Sequence, residues 1–118
     1  MTTDRALVIL LVEDDDSIRE LTAMVLEDKG YEVHTAQNGD IASEWLGRNK
    51  ADLLFTDVRM PGKVTGQLLA LSHSDMPVLV TSGEAKEQHD WLLDGMEYLS
   101  KPYDRKSLLS AIERLATA

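Results

Sequence analysis

The sequence predicts an α/β fold in which a parallel sheet is covered by helices on both faces. Three observations carry this. Two short runs are apolar on consecutive residues, LVILLV at 7–12 and LLF at 53–55, the pattern of strands buried on both sides. Helix-period segments alternate with these and three further strand-like runs. The resulting order is β-α repeated five times, which implies parallel strands joined by right-handed crossovers.

Taken in order, residues 1–6 read as a loose lead-in. The first strand, 7–12, runs into Glu13-Asp14-Asp15-Asp16. Asp16 or Ser17 can cap the first helix, and acids suit its positive N-terminus. Ile18, Leu21, Val25 and Met24 form its expected apolar face. Lys29-Gly30 supplies a last-turn cation and a C′ glycine. Residues 31–36 alternate imperfectly (Tyr31, Val33, Thr35) and read as a shorter strand. Asn38-Gly39 turns, and 40–47 is a helix with Ile41, Ala42, Trp45 and Leu46 as its apolar set.

The central strand, 52–56, delivers Asp57 at its C-terminal end, and Met60-Pro61-Gly62 stops it, because proline lacks an N–H and glycine permits a turn. Gly66 opens a short helix, 67–72, carrying Leu68, Leu69 and Leu71. Pro77 begins a fourth strand, 78–80, ending in Thr81-Ser82-Gly83. Residues 84–93 read as a fourth helix with Trp91, Leu92 and Leu93 near its end, and Gly95 terminates it. A fifth strand, 96–100, ends in Lys101-Pro102. Asp104 caps a last helix whose apolar face includes Leu108, Leu109, Ile112 and Leu115.

Composition narrows the function. The chain has 118 residues, enough for one domain with its own core, and no cysteine, so disulfides, thiolate zinc sites and cysteine nucleophiles are excluded. No apolar stretch approaches a membrane span and no signal-peptide pattern opens the chain, so a soluble cytoplasmic protein is expected. The 21 acidic and 12 basic residues give a net charge of −9, which argues against autonomous nucleic-acid binding.

Four of the five strands end in a chemically useful group: Glu13-Asp14, Asp57, Thr81 and Lys101. In a parallel sheet these ends share one edge, where ligands bind. Clustered carboxylates repel unless a cation intervenes, and an oxygen-only set suits Mg²⁺ before Zn²⁺. An exposed aspartate beside Mg²⁺ can attack phosphorus and form an acyl phosphate, with the Lys101 ammonium and Thr81 hydroxyl supplying charge and a hydrogen bond to the phosphoryl oxygens.

These residues, in LLVEDD, TDVRMPG, VLVTSG and YLSKPY, resemble those of the response-regulator receiver domain of two-component signalling, over about residues 7–115. The resemblance implies a flavodoxin-like sheet of order 2-1-3-4-5 and phosphorylation of Asp57 by a histidine kinase or histidine phosphotransfer protein. It implies Mg²⁺ held by Glu13, Asp14, Asp57 and the Arg59 backbone carbonyl, with Asp14 a more direct ligand than Glu13. It further implies that Lys101 pairs with the phosphoryl group, that Thr81 moves toward it, that Tyr98 rotates inward behind it, and that the Lys101-Pro102 bond is cis. The output surface toward an unknown protein target would be the fourth helix, fifth strand and fifth helix.

A single-domain regulator is expected, with a fragment of a larger regulator or hybrid kinase as the alternative, monomeric or dimerising on phosphorylation, with no catalysis beyond its own phosphorylation and acyl-phosphate hydrolysis. Two features depart from the family. Asp57 and Thr81 are only 24 residues apart, so the third helix and the loop after it are short. Arg59 follows Asp57 by two; its side chain could shield the phosphoryl group, pair with Glu13 or be solvated.

Other functions fit less well. A phosphatase with an aspartyl nucleophile needs an acid two residues on, where Arg59 stands. A nucleotide-binding protein needs a glycine-rich loop after the first strand, where acids stand. A phosphorylation-independent adaptor with this fold is the alternative, opposed by the complete set Asp14, Asp57, Thr81 and Lys101. His34, His73 and His89 lack metal-ligand spacing and read as surface or strand residues. Trp45 and Trp91 read as helix packing.

Overall fold

The computed structural model describes residues 6–60, 62–84 and 86–117. The expected lead-in up to Arg5, Pro61 of the expected strand stop, and Ala85 of the expected fourth helix lie outside the described residues. The elements run β1 (Val8–Val12), α1 (Asp16–Asp28), β2 (Glu32–Ala36), α2 (Gly39–Arg48), β3 (Leu53–Asp57), α3 (Gly66–Ser72), β4 (Val78–Ser82), a 3-10 turn (Lys86–Gln88), β5 (Glu97–Ser100) and α4 (Arg105–Ala116). All strand pairs are parallel and the order is β2-β1-β3-β4-β5.

Why the strands are apolar on consecutive residues is visible in the two cores. Ile9, Leu11, Phe55, Leu79 and Leu99 point to one face, against Leu26 of α1 and Leu108, Ala111, Ile112 and Leu115 of α4. Leu10, Val12, Leu54, Val78 and Val80 point to the other, against Ala42 of α2 and Leu69 and Ala70 of α3. Successive side chains alternate between faces, and both faces are dry. Each of the largest of these side chains contributes about 2–3 kcal/mol by leaving water.

Every α-helix begins on a side-chain cap, which satisfies an otherwise orphaned N–H. Asp15 accepts from Ile18, Asn38 from Ile41, Thr65 from Leu68 and Asp104 from Ser107. The α1 cap is thus Asp15, rather than Asp16 or Ser17, and Asn38 caps α2 as well as turning the chain.

Three expectations are corrected. The inward stripe of α1 is Thr22 and Leu26, while Leu21 and Met24 are 63% and 64% exposed. Thr22 is tolerated inside because its hydroxyl shares a 2.9 Å hydrogen bond with the Tyr103 phenol. On α3, Leu69 and Ala70 face the core and Leu68 and Leu71 face solvent.

The largest correction is the fourth helix. Among the described residues, 84–93 contain only the 3-10 turn Lys86–Gln88, so five described strands alternate with four described α-helices. A short helix depends on a continuous apolar stripe, and residues 84–90, EAKEQHD, offer only Ala85. The Glu84 carbonyl is instead engaged by the Tyr98 hydroxyl, and Ser82 Oγ accepts from the Glu84 N–H at 3.0 Å.

Candidate functional site

The C-terminal ends of β1, β3, β4 and β5 form one edge, and the site is built on it. Asp57 is the last residue of β3 and lies opposite Thr81 in the ladder. It is only 5% exposed. Beyond it the Val58 N–H continues onto the Thr81 carbonyl at 3.0 Å, and the Gly66 N–H returns to the Val58 carbonyl at 3.1 Å. The chain between forms a closed loop, and within it the Arg59 N–H donates to Asp57 Oδ1 at 3.2 Å.

Lys101 follows β5, anchored by its N–H on the Ser82 carbonyl at 2.8 Å. The Lys101-Pro102 bond is cis, as expected. The ammonium lies 2.6 Å from Asp57 Oδ2 and 2.8 Å from Glu13 Oε1. Burial pulls the Lys101 pKa down, but hydrogen bonds to Asp57 and Glu13 outweigh it and the net shift is upward. The lysine is therefore charged at neutral pH.

Glu13 is not a solvated acid at a helix N-terminus. It is 2% exposed. Burial pushes its carboxyl up from the ordinary value, against the opposing effects of the Lys101 hydrogen bond and the Asp15 N–H. That N–H donates to Glu13 Oε2 at 3.1 Å, and Arg19 Nη1 donates to the Glu13 carbonyl at 2.9 Å. Asp14 faces solvent. One oxygen each from Glu13, Asp14 and Asp57 lies within 4.8 Å of the others. Three hard carboxylate oxygens at that spacing, one of them open to water, are a donor set that fits Mg²⁺.

The side chains of the other expected residues make their contacts outside this cluster. Thr81 is buried, and its hydroxyl donates to the Leu99 carbonyl at 2.6 Å, on β5. The Tyr98 hydroxyl donates to the carbonyl of Glu84 and lies 3.4 Å from that of Ser82. The Arg59 guanidinium pairs with Glu84 at 2.5 Å and not with Glu13, whose partner is Lys101.

His89, expected on the surface or a strand, is 5% exposed and lies just after the 3-10 turn. Its ring packs against Tyr98 and Trp91, with centroids 5.4 and 6.1 Å away. Its Nε2 is buried without a hydrogen bond, 3.6 Å from Glu84 Oε1. Trp91 is half-buried in irregular chain rather than on a helix. Sequence reasoning also passed over Arg19 and Glu84, since lone charges beside helix starts and turns carry no distinguishing pattern.

The family model for the response regulator receiver domain matches residues 9–113. The chain belongs to that family.

Receiver domains occur both inside longer regulators and alone, and this one is similar to both kinds. It is 32% identical to the DNA-binding transcriptional regulator NtrC of Azospirillum brasilense, over 92% of this chain and 24% of the relative. With the response regulator MprA of Mycobacterium leprae it shares 34% identity, over 91% of this chain and 50% of the relative. The chain thus spans about a quarter to a half of these relatives' length. Among solved structures, the chemotaxis response regulator CheY4 of Vibrio cholerae superposes with a TM-score of 0.83 at 28% identity, covering 93% of this chain and 98% of that one. The receiver fold and its place in two-component signalling are shown by these matches.

Proposed function

We propose that this receiver accepts a phosphoryl group on Asp57 from a histidine kinase or histidine phosphotransfer protein, in a Mg²⁺-dependent transfer, and thereby changes the surface it offers to a protein target. The observation that carries this reading is the Lys101 ammonium bridging the nearly buried carboxylates of Asp57 and Glu13 beside Asp14.

An Asp57 carboxylate oxygen attacks phosphorus, the P–N bond of the donor phosphohistidine breaks, and the imidazole leaves and regains its proton. The Arg59 N–H on Oδ1 and Lys101 on Oδ2 hold the carboxylate in one orientation, so little ordering remains at the moment of attack. Glu13, Asp14, Asp57 and the Arg59 backbone carbonyl would hold Mg²⁺, which when bound supplies positive charge to the phosphoryl oxygens. Lys101 follows the charge from the carboxylate onto the phosphoryl group.

The Thr81 hydroxyl exchanges the Leu99 carbonyl for a phosphoryl oxygen, and the freed space on the β4–β5 side is one Tyr98 can enter. Residues 84–96, β5 and α4 then form the output face, without the fourth helix expected there. The donor has a surface beside the site. Ile18, Leu21, Thr22, Pro102 and Tyr103 line an apolar hollow of about 370 Å³ that reaches Lys101. A histidine donor places such a protein beside a kinase, in the cytoplasm; among the described residues no helix is long and apolar enough to cross a membrane.

The test is intact mass after incubation with Mg²⁺ and a small acyl-phosphate donor. Wild type gains one phosphoryl group, and Asp57→Asn gains none. A folded wild type that gains none, and whose amide spectrum does not respond to Mg²⁺ with beryllofluoride, would make the chain an adaptor instead.

A further inference from the structure

We infer that Asp40, at the start of α2, is a positioning residue for the loop that follows Asp57. The inference rests on the phosphoacceptor reading above and extends it to a group that touches neither the acceptor nor its carboxylate neighbours.

The loop between β3 and α3 is pressed against other backbone at two places. A Cβ at Gly66 would lie 1.7 Å from the Asp57 carbonyl oxygen, and one at Gly39 would lie 1.9 Å from that of Val64. The first contact closes the loop on the acceptor's own strand. The second brings α2 against the far side of the loop, and Asp40 is the next residue.

From there the Asp40 carboxylate reaches across to the loop backbone. Oδ1 accepts from the Val64 N–H at 2.9 Å, and Oδ2 lies 3.4 Å from the Lys63 N–H. Gly62 adopts φ +108°, with its Cβ direction 2.9 Å from Asp40 Oδ2, so a side chain there would displace the carboxylate. No side chain of the loop duplicates this attachment among the described residues.

What the loop carries gives the attachment its consequence. Arg59 lies between Asp57 and this tether. Its N–H fixes Asp57 Oδ1, and its carbonyl belongs to the proposed Mg²⁺ set. A loop free to swing at residues 62–64 holds both groups less well. Outer groups that orient a metal's ligands commonly change metal affinity about tenfold.

Asp40 also lies in the first turn of α2, where any acid favours the helix N-terminus. Asp40→Asn separates the two roles. An amide oxygen can still accept from Val64, whereas the negative charge is gone.

The experiment compares wild type, Asp40→Ala and Asp40→Asn by site-resolved amide exchange, calorimetric Mg²⁺ titration and the Mg²⁺ concentration that half-saturates phosphoryl uptake. Asp40→Ala should speed exchange at Val64 and Arg59 about tenfold and weaken Mg²⁺ binding about tenfold, with half-saturation rising in parallel. Asp40→Asn should restore most of each. Unchanged exchange at Val64 and Arg59 in the alanine variant, or an asparagine variant no better than alanine, overturns the inference. If wild type itself binds no Mg²⁺ and gains no phosphoryl group, the phosphoacceptor reading fails, and the exchange rates still decide the tether.

Discussion

The ammonium of Lys101 lies 2.6 Å from Oδ2 of Asp57 and 2.8 Å from Oε1 of Glu13, so one cation joins the ends of β5, β3 and β1. It offsets two carboxylates that are each almost out of water, with Asp14 adding a third acid at the rim. Removing one partner of such a set leaves the others uncompensated.

Lys101→Met is therefore expected to cost about 3 kcal/mol at neutral pH, the low end for breaking a buried pair, because Lys101 keeps 20% exposure. Added Mg²⁺ should recover part of that loss and bind several-fold tighter than in wild type, since its competitor is gone. The pH dependence has a defined sign. The folded Lys101 pKa lies above 10.5, so its stabilisation is complete below that value and is lost as pH rises through the folded pKa. Tyr31 and Tyr103 are also raised and weaken the fold in the same alkaline range. The difference between wild type and Lys101→Met in urea melts, at about pH 8 and about pH 11.5, reports the lysine together with its effect on the neighbouring Tyr103 phenol.

Thr81→Ala deletes the donor that meets the Leu99 carbonyl at 2.6 Å inside the sheet. A cost of about 1–2 kcal/mol is expected from urea unfolding, and Thr81→Ser should recover most of it. Under the proposed mechanism the alanine variant still gains a phosphoryl group by mass, but the Tyr98 ring resonances no longer respond to it.

Two glycines should respond oppositely to alanine. A Cβ at Gly66 meets the Asp57 carbonyl at 1.7 Å, whereas at Gly47 it meets nothing within 4 Å. Gly66→Ala forces backbone apart beside Asp57 and should cost about 3 kcal/mol or more and, under the proposed function, slow phosphoryl uptake. Gly47→Ala, inside α2, should raise stability by about 0.5–1 kcal/mol with uptake unchanged. Thermal melts and intact mass report both.

Among the described residues the buried Nε2 of His89 has no hydrogen bond; it lies 3.6 Å from Glu84 Oε1, and its ring packs against Tyr98 and Trp91. Replacing an unsatisfied polar group with an apolar one removes its desolvation cost. His89→Leu is expected to raise the urea midpoint at neutral pH, equivalent to about 0.5–1 kcal/mol. A fall of similar size would mean that the ring contacts and the nearby Glu84 carboxylate outweigh the desolvation of that nitrogen.

The parallel sheet was legible because runs such as Leu10-Leu11-Val12 and Leu53-Leu54-Phe55 have no polar face to give water. The convergence of Glu13, Asp14, Asp57 and Lys101 was legible because each ends a strand, and parallel strands end together. Which face of α1 turns inward was not, since Thr22 becomes an inside residue only through Tyr103, 81 positions away. The fourth helix was misread because Trp91, Leu92 and Leu93 supply apolar weight at one end only. Asp40, Glu84 and His89 act through backbone, ion-pair or ring contacts fixed by tertiary placement, and no spacing rule points to them.

Among the described residues no α-helix stands between β4 and β5, which changes how cheaply the proposed output face can be remodelled. Between β4 and β5 the described backbone bonds are turn-like: His89 to Lys86, Leu92 to His89 and Met96 to Leu93. Bonds of this kind can be exchanged without melting a helical ladder, while His89 packed on Tyr98 and the Glu84 carbonyl bonded by the Tyr98 hydroxyl tie the segment to β5. Ordering it on a target would cost about 1–2 kcal/mol for each backbone residue fixed. Under the proposed function, affinity at this face would be governed as much by how ordered the segment already is as by the contacts it makes, and a small bias at Thr81 and Tyr98 would become a large difference in binding.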